Sequence, residues 1–146
     1  MAKFFKTEHI TLAKQVLSMG QRCPGFMVRQ GRAQVRWTGW LRPSALSGEY
    51  KVEIALRQGG FPKARVLEPA LQSRPDGQRI PHVYPGKELC LHLPGEWQPR
   101  MFVSETTVPW TLLWLLFYEY WQATGEWHGE GEHPPSKSRP QGRQAA

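Results

Sequence analysis

Apolar positions along this chain recur first every three to four residues, then every second residue, and finally almost without interruption. In residues 7–19, TEHITLAKQVLSM, the residues Ile10, Ala13, Val16 and Leu17 fall on one helical stripe, with Thr7 as a cap and Gly20 as a stop. This predicts a first amphipathic helix. The run RAQVRWTGWL then alternates Ala33, Val35 and Trp37 against polar neighbours, and EYKVEIAL alternates Tyr50, Val52, Ile54 and Leu56. KARVL offers a third short run, and turn formers including Gly59, Gly60 and Pro62 separate the runs. Consecutive alternating runs predict an antiparallel meander of three or four strands. The following stretch, SRPDGQRIPHVYPGKEL, is too rich in Pro and Gly for regular structure and is expected to be a loop.

From Thr106 the pattern becomes TTVPWTLLWLLFYEYWQATGEW, with Pro109 suited to a first helical turn and Gly125 to a C-terminal stop. It is apolar nearly all round, which predicts a helix buried in the core, with Trp110, Leu113, Trp114, Phe117 and Trp121 supplying much of that core. A membrane span is excluded by length: Pro109 and Glu119 bracket nine apolar or neutral residues, where a span needs about 20. The fold class expected is α+β, with one helix at each end of a β-meander. Residues 1–133 form the expected domain, and 134–146, which hold no core-forming side chain, an expected disordered basic tail.

Charge changes the picture through its distribution. The net charge is +7, but residues 1–36 carry seven Lys/Arg against one acid, whereas 104–133 carry five acids and no Lys or Arg. A basic front and an acidic back steer polar partners without specifying a nucleic-acid groove reader. No zinc-finger spacing, basic zipper or aromatic ribonucleoprotein motif is present, so nucleic acid is not the expected partner. The glutamate-rich TGEWHGEGEHP reads as a solvated acidic turn or as a docking surface for a basic segment. No stretch near the N-terminus has the build of a signal peptide, and two cysteines do not make a disulfide framework. Reduced thiols and a cytoplasmic location are expected.

One of those cysteines sits in HVYPGKELCLHLPGEW. Cys90 there is a structural space-filler, a metal ligand or a nucleophile. If LCLHL is extended, Leu89, Leu91 and Leu93 face the core, and Cys90 shares an accessible outward face with His92. A metal site would draw on His82, Cys90 and His92, with His128 or His133, but Cys-x-His lacks the spacing of structural zinc pairs and Cys23 is remote. A thiol nucleophile needs its pKa lowered or a base nearby, and His82, His92 and Lys87 are the local candidates. A papain-like triad is weakened because the chain contains no Asn and a single Asp, Asp76.

Element by element, residues 7–123 resemble the ubiquitin-conjugating enzymes: a first helix, a meander, a Pro-rich loop with a histidine motif, a hydrophobic-Cys-Leu segment, Trp-x-Pro and a second helix. Here PHVY stands for the family's His-Pro-Asn, LCL for its cysteine segment, EWQP for Trp-x-Pro, and Pro109 opens the helix that follows. The stretches HVYPGKELCLHLPGEW, WLRPSALSGEYKVEIAL and PWTLLWLLFYEYWQATGEWHGEGEHP look like the ubiquitin-conjugating-like proteins of bacterial anti-phage CBASS operons, which accompany a cGAS-like nucleotidyltransferase.

The resemblance implies a ubiquitin-conjugating-like fold in which Cys90 carries a thioester to a protein C-terminus, that of the nucleotidyltransferase, and passes it to an amine. An activating-enzyme-like protein is a possible second partner, and neither cofactor nor metal is implied. Tyr84 falls where the family has its Asn, so its phenol is the candidate to donate in that residue's place. His82 matches the motif histidine, which is mostly structural in the family, and His92 is the candidate to tune the thiol. The competing reading is a catalytically silent binding module of the same fold, with the basic first helix as a partner surface.

Overall fold

The computed structural model describes residues 9–129. Thr7, His133, the end of the glutamate-rich stretch from residue 130 and the basic tail 134–146 lie outside them. The described elements run in the order α1 (Leu12–Arg22), β1 (Met27–Gln30), β2 (Gln34–Leu41), β3 (Tyr50–Arg57), β4 (Lys63–Glu68) and α2 (Thr107–Thr124). The α+β class and its element order agree with the periodicities.

The four strands form one antiparallel sheet in the order β1-β2-β3-β4. Register sets Trp37 opposite Ile54 and Ile54 opposite Ala64, so one face carries the buried side chains Val35, Trp37, Val52, Ile54, Leu56 and Ala64. Strand β1 went unrecognised because all four of its residues are exposed. Backbone pairing with β2 makes it a strand, and apolar alternation leaves no mark on such a segment. A single hydrophobic cluster joins the inner sheet face to α2 and to Met19 of α1. Burying each large side chain in it contributes about 1.5–3 kcal/mol.

The first helix starts later than its pattern suggests. Thr11 is its N-cap, accepting a hydrogen bond from the Lys14 N–H at 3.1 Å, and the helix continues through Gly20 to Arg22. Its buried positions are Gln15 and Met19, flanked by partly buried Leu12 and Val16, whereas Leu17 is 61% exposed. The inward stripe is thus rotated from the one expected. The cause is Gln15: its amide donates to the Met101 carbonyl at 2.9 Å and accepts from the Val103 N–H at 2.9 Å, pinning the segment that leads into α2.

The second helix corrects two expectations. It buries Thr107, Val108, Thr111, Trp114, Leu115, Tyr118 and Trp121 against the sheet side, but Leu113, Leu116 and Tyr120 are exposed. It is therefore buried on one face, and a second apolar face stays open. Trp114 and Trp121 enter the core as expected and Trp110 packs against it half-buried, while Leu113 and Phe117 do not join it. The helix ends at Gly125 in the left-handed conformation. No Lys or Arg stands in its last turn, and Arg74 supplies the cation from the long loop instead, donating to the carbonyls of Trp121 and Gln122 at 3.0 and 2.6 Å. Among the described residues, no helix is long and apolar enough to cross a membrane.

Candidate active site

Two Pro-Gly turns frame the cysteine. In Tyr84-Pro85-Gly86-Lys87 the Lys87 N–H reaches the Tyr84 carbonyl at 3.0 Å, and in Leu93-Pro94-Gly95-Glu96 the Glu96 N–H reaches the Leu93 carbonyl at 3.0 Å. Gly86 and Gly95 have φ of +88° and +84°, as the third residue of a type II turn demands. The first turn folds its flanks into a small hairpin: Val83 bridges Leu89, the Tyr84 N–H donates to the Glu88 carbonyl at 2.8 Å, and the Cys90 N–H donates to the His82 carbonyl at 2.9 Å. The hairpin is tied to β4 by the Leu89 N–H on the Ala64 carbonyl at 2.9 Å, and to α2 by the Trp114 indole on the His82 carbonyl at 3.1 Å.

This pairing explains where the tyrosine goes. With Val83 opposite Leu89, Tyr84 and Cys90 are diagonal neighbours on one face of the hairpin. The Tyr84 hydroxyl lies 3.4 Å from the Cys90 Sγ. That hydrogen bond, followed by desolvation and the charges of Cys90 and Glu88, pushes the phenol up to about 12, so it keeps its proton throughout the physiological range. A phenol beside a thiol accepts from S–H and, once the sulfur is a thiolate, turns to donate to it.

The outward strand face expected for Cys90 and His92 does not form. LCLHL contains no strand, and Cys90 is 3% exposed. The reason is the bracketing turns, which bend the segment and pull Cys90 back under α2. What access the thiol has runs through a cavity of about 330 Å³ that it lines together with His82, Leu93, Trp110, Leu113 and Phe117. Trp127, from the segment after α2, closes one side, its ring centroid 5.0 Å from that of His82, 5.3 Å from Trp114 and 5.9 Å from Phe117. Part of the helical stripe expected to fill the core, Trp110, Leu113 and Phe117, thus walls the thiol's cavity. The stretch expected as a solvated acidic turn is here partly packed structure.

His92 lines a second cavity, of about 550 Å³, with Tyr84, Phe61 and Trp97; Leu91 borders both. Its ring sits between Phe61 and Trp110, at centroid distances of 5.9 and 5.5 Å, with Nδ1 2.9 Å from the Leu93 carbonyl. A proton on Nδ1 makes that contact a hydrogen bond and leaves Nε2 as the acceptor. Of the four residues singled out, the structure therefore brings Tyr84 to the thiol by side chain and His82 by backbone and shared cavity, and places His92 in the neighbouring cavity. Among the described residues, no three His, Cys, Asp or Glu side chains are grouped to hold a metal. Neither cysteine is in a disulfide, and burial pushes the Cys23 thiol up, away from reactivity.

A family model described as type II CBASS E2 protein matches residues 15–134, a span that begins inside α1 and takes in all four strands, both turns around Cys90 and α2. The chain belongs to the type II CBASS E2 family. Its place is accordingly among the E2-like proteins of CBASS defence, in agreement with the resemblance read from the motifs. A comparison with curated proteins returned no significant match. The residues lining the Cys90 cavity to which the cysteine motifs do not point are Trp110, Leu113, Phe117 and Trp127. For the three on α2 the signal is an aromatic-rich helix lacking a polar face, a pattern that fits a core helix equally well.

Proposed function

We propose that this CBASS E2 protein is an acyl carrier acting through Cys90. The thiol loses its proton and attacks the activated C-terminal carbonyl of a donor protein, a cGAS-like nucleotidyltransferase of the same defence system. The tetrahedral oxyanion collapses, expelling the activating group and leaving a thioester on Sγ. An amine then attacks that thioester, an amide forms, and the Cys90 thiolate departs. The Tyr84 O–H is placed to donate to the thiolate or to the oxyanion, the task of the Asn this chain lacks. His82 holds the loop through its carbonyl, and the tethered His92 is a positioning residue for the Leu91–Leu93 segment. The observation that carries this reading is the Cys90–Tyr84 contact at the edge of an aromatic-walled cavity.

A second reading, a catalytically silent docking module, is favoured by one observation, the near-complete burial of Cys90. The two part in a single experiment. The protein is mixed with its operon's nucleotidyltransferase and any activating enzyme, and adducts are resolved on non-reducing gels. An acyl carrier forms a thiol-reversible adduct that Cys90→Ala abolishes. Tyr84→Phe lowers the single-turnover rate about 100- to 1,000-fold, the range for loss of one oxyanion donor. Full conjugation by Cys90→Ala overturns the mechanism, and co-purification without any adduct selects the docking module.

A further inference from the structure

We infer that the cavity beside Cys90 selects the acyl donor, accepting a large apolar side chain among the last residues before the donor's C-terminal carbonyl. The inference rests on the acyl-carrier reading and adds the class of substrate. At about 330 Å³ the cavity lies at the lower end of the range for ligand sites, about 300–1,000 Å³. That is room for a side chain with some of its backbone. Its walls are Trp110, Leu113, Trp114, Phe117 and Trp127, with Cys90 in the same lining. A tail whose terminal carbonyl reaches the thiol therefore has its preceding side chains against indole and phenyl rings.

Electrostatics narrows the choice. Among the described lining residues none is Lys or Arg, and Glu96 is the one acid. Glu96 accepts from the Leu93 N–H at 2.7 Å, which fixes a negative charge at that edge. An acidic residue near the donor's C-terminus would meet a carboxylate and no cation, and a small residue would leave ring surface uncovered.

The wall is also built for close tolerance. A Cβ at Gly129 would lie 2.5 Å from the Trp127 indole nitrogen and 2.9 Å from the Phe117 ring, so the chain passes these rings only as glycine. Trp127 is held against Trp114 and Phe117 in edge-to-face geometry, which gives the cavity a defined side. Pre-positioned aromatic walls discriminate by shape and apolar contact, where a flexible surface would adapt to many tails.

The test uses the full chain and short peptides ending in a C-terminal alkyl thioester. In each reaction the Cys90 thiol displaces the alkyl thiol: the acyl–sulfur bond to the alkyl group breaks, the bond to Sγ forms, and the Sγ proton ends on the released thiol. Acylation is followed by intact mass. Phe is placed in turn at each of the last four positions of an otherwise alanine peptide, with Asp in a parallel series. At one or more positions Phe is expected to accelerate acylation about tenfold or more over alanine, the scale of selectivity available to an apolar pocket. Asp is expected to slow it. Leu113→Ser, at a 47%-exposed rim position that folding tolerates, reduces the Phe preference, while Leu46→Ala, at a 98%-exposed position outside both cavities, preserves it. Acylation of Cys90 by all peptides within twofold of one another overturns the selectivity and leaves the acyl-carrier reading standing. Acylation by none overturns both.

Discussion

At the scale of single residues, the chemistry depends on side chains that hydropathy cannot rank. Tyr84 looks like loop filler, and its meeting with Cys90 follows only once Val83 pairs with Leu89. Gln15 is a polar residue at 1% exposure whose amide is satisfied at both ends by backbone groups of the segment before α2. Replacing it with Ala strands the Met101 carbonyl and the Val103 N–H, and the expected loss of stability is about 2–3 kcal/mol. Gln15→Leu, similar in size but without hydrogen bonds, should fail to restore it in urea unfolding. Recovery with Leu would show that Gln15 only fills space.

At the scale of elements, the turns matter more for the site than the strands do. Pro-Gly pairs at Pro85-Gly86 and Pro94-Gly95 form tight turns that decide the direction of the chain on each side of Cys90. Proline sets φ at the second turn position, and a residue with a Cβ resists the positive φ at the third. Gly95→Ala is therefore expected to cost about 1 kcal/mol, and to increase the access of alkylating reagents to Cys90 as the turn loosens. A denaturation curve together with an alkylation time course measures both. An unchanged alkylation rate would mean that the turn does not control access. Both Pro-Gly pairs could be read as turns from the sequence, whereas β1 could not, because nothing in its four exposed residues distinguishes it from a loop.

At the scale of the whole molecule, α2 holds the parts together by contacts far apart in the chain. Glu119 accepts hydrogen bonds from the Ser47 hydroxyl at 2.7 Å and the Tyr50 hydroxyl at 2.8 Å, anchoring the helix to the β2–β3 connection and to β3. Burial first, then the hydrogen bond to Glu119 and its charge, raise the Tyr50 phenol above the ordinary tyrosine range. In the unfolded chain this group titrates near pH 10. Because its folded pKa is the higher one, the stabilisation is complete below about pH 10 and is lost as pH rises towards the folded value. Tyr84 acts in the same direction, between about pH 10 and about pH 12. Denaturant unfolding from pH 8 to 12 should show stability falling from about pH 10, with a shallower fall in Tyr50→Phe. A slope that Tyr50→Phe leaves unchanged would assign the alkaline loss to other groups.

The local signals in the sequence determined the α+β class, the three alternating strands, the existence of both helices and the turn-rich setting of Cys90, because periodicity and turn chemistry act over a few neighbouring residues. The motifs around that cysteine also sufficed to indicate the family. Tertiary structure decided the rest. It rotated α1 around Gln15, left one apolar face of α2 open, buried Cys90, and made Trp110, Leu113 and Phe117 the walls of its cavity. An apolar side chain has the same hydropathy in a core and beside a thiol. The partner across from it decides which it is, and in this fold that partner is the Cys90 hairpin, well before α2 in sequence, and the Trp127 segment that returns just beyond the helix.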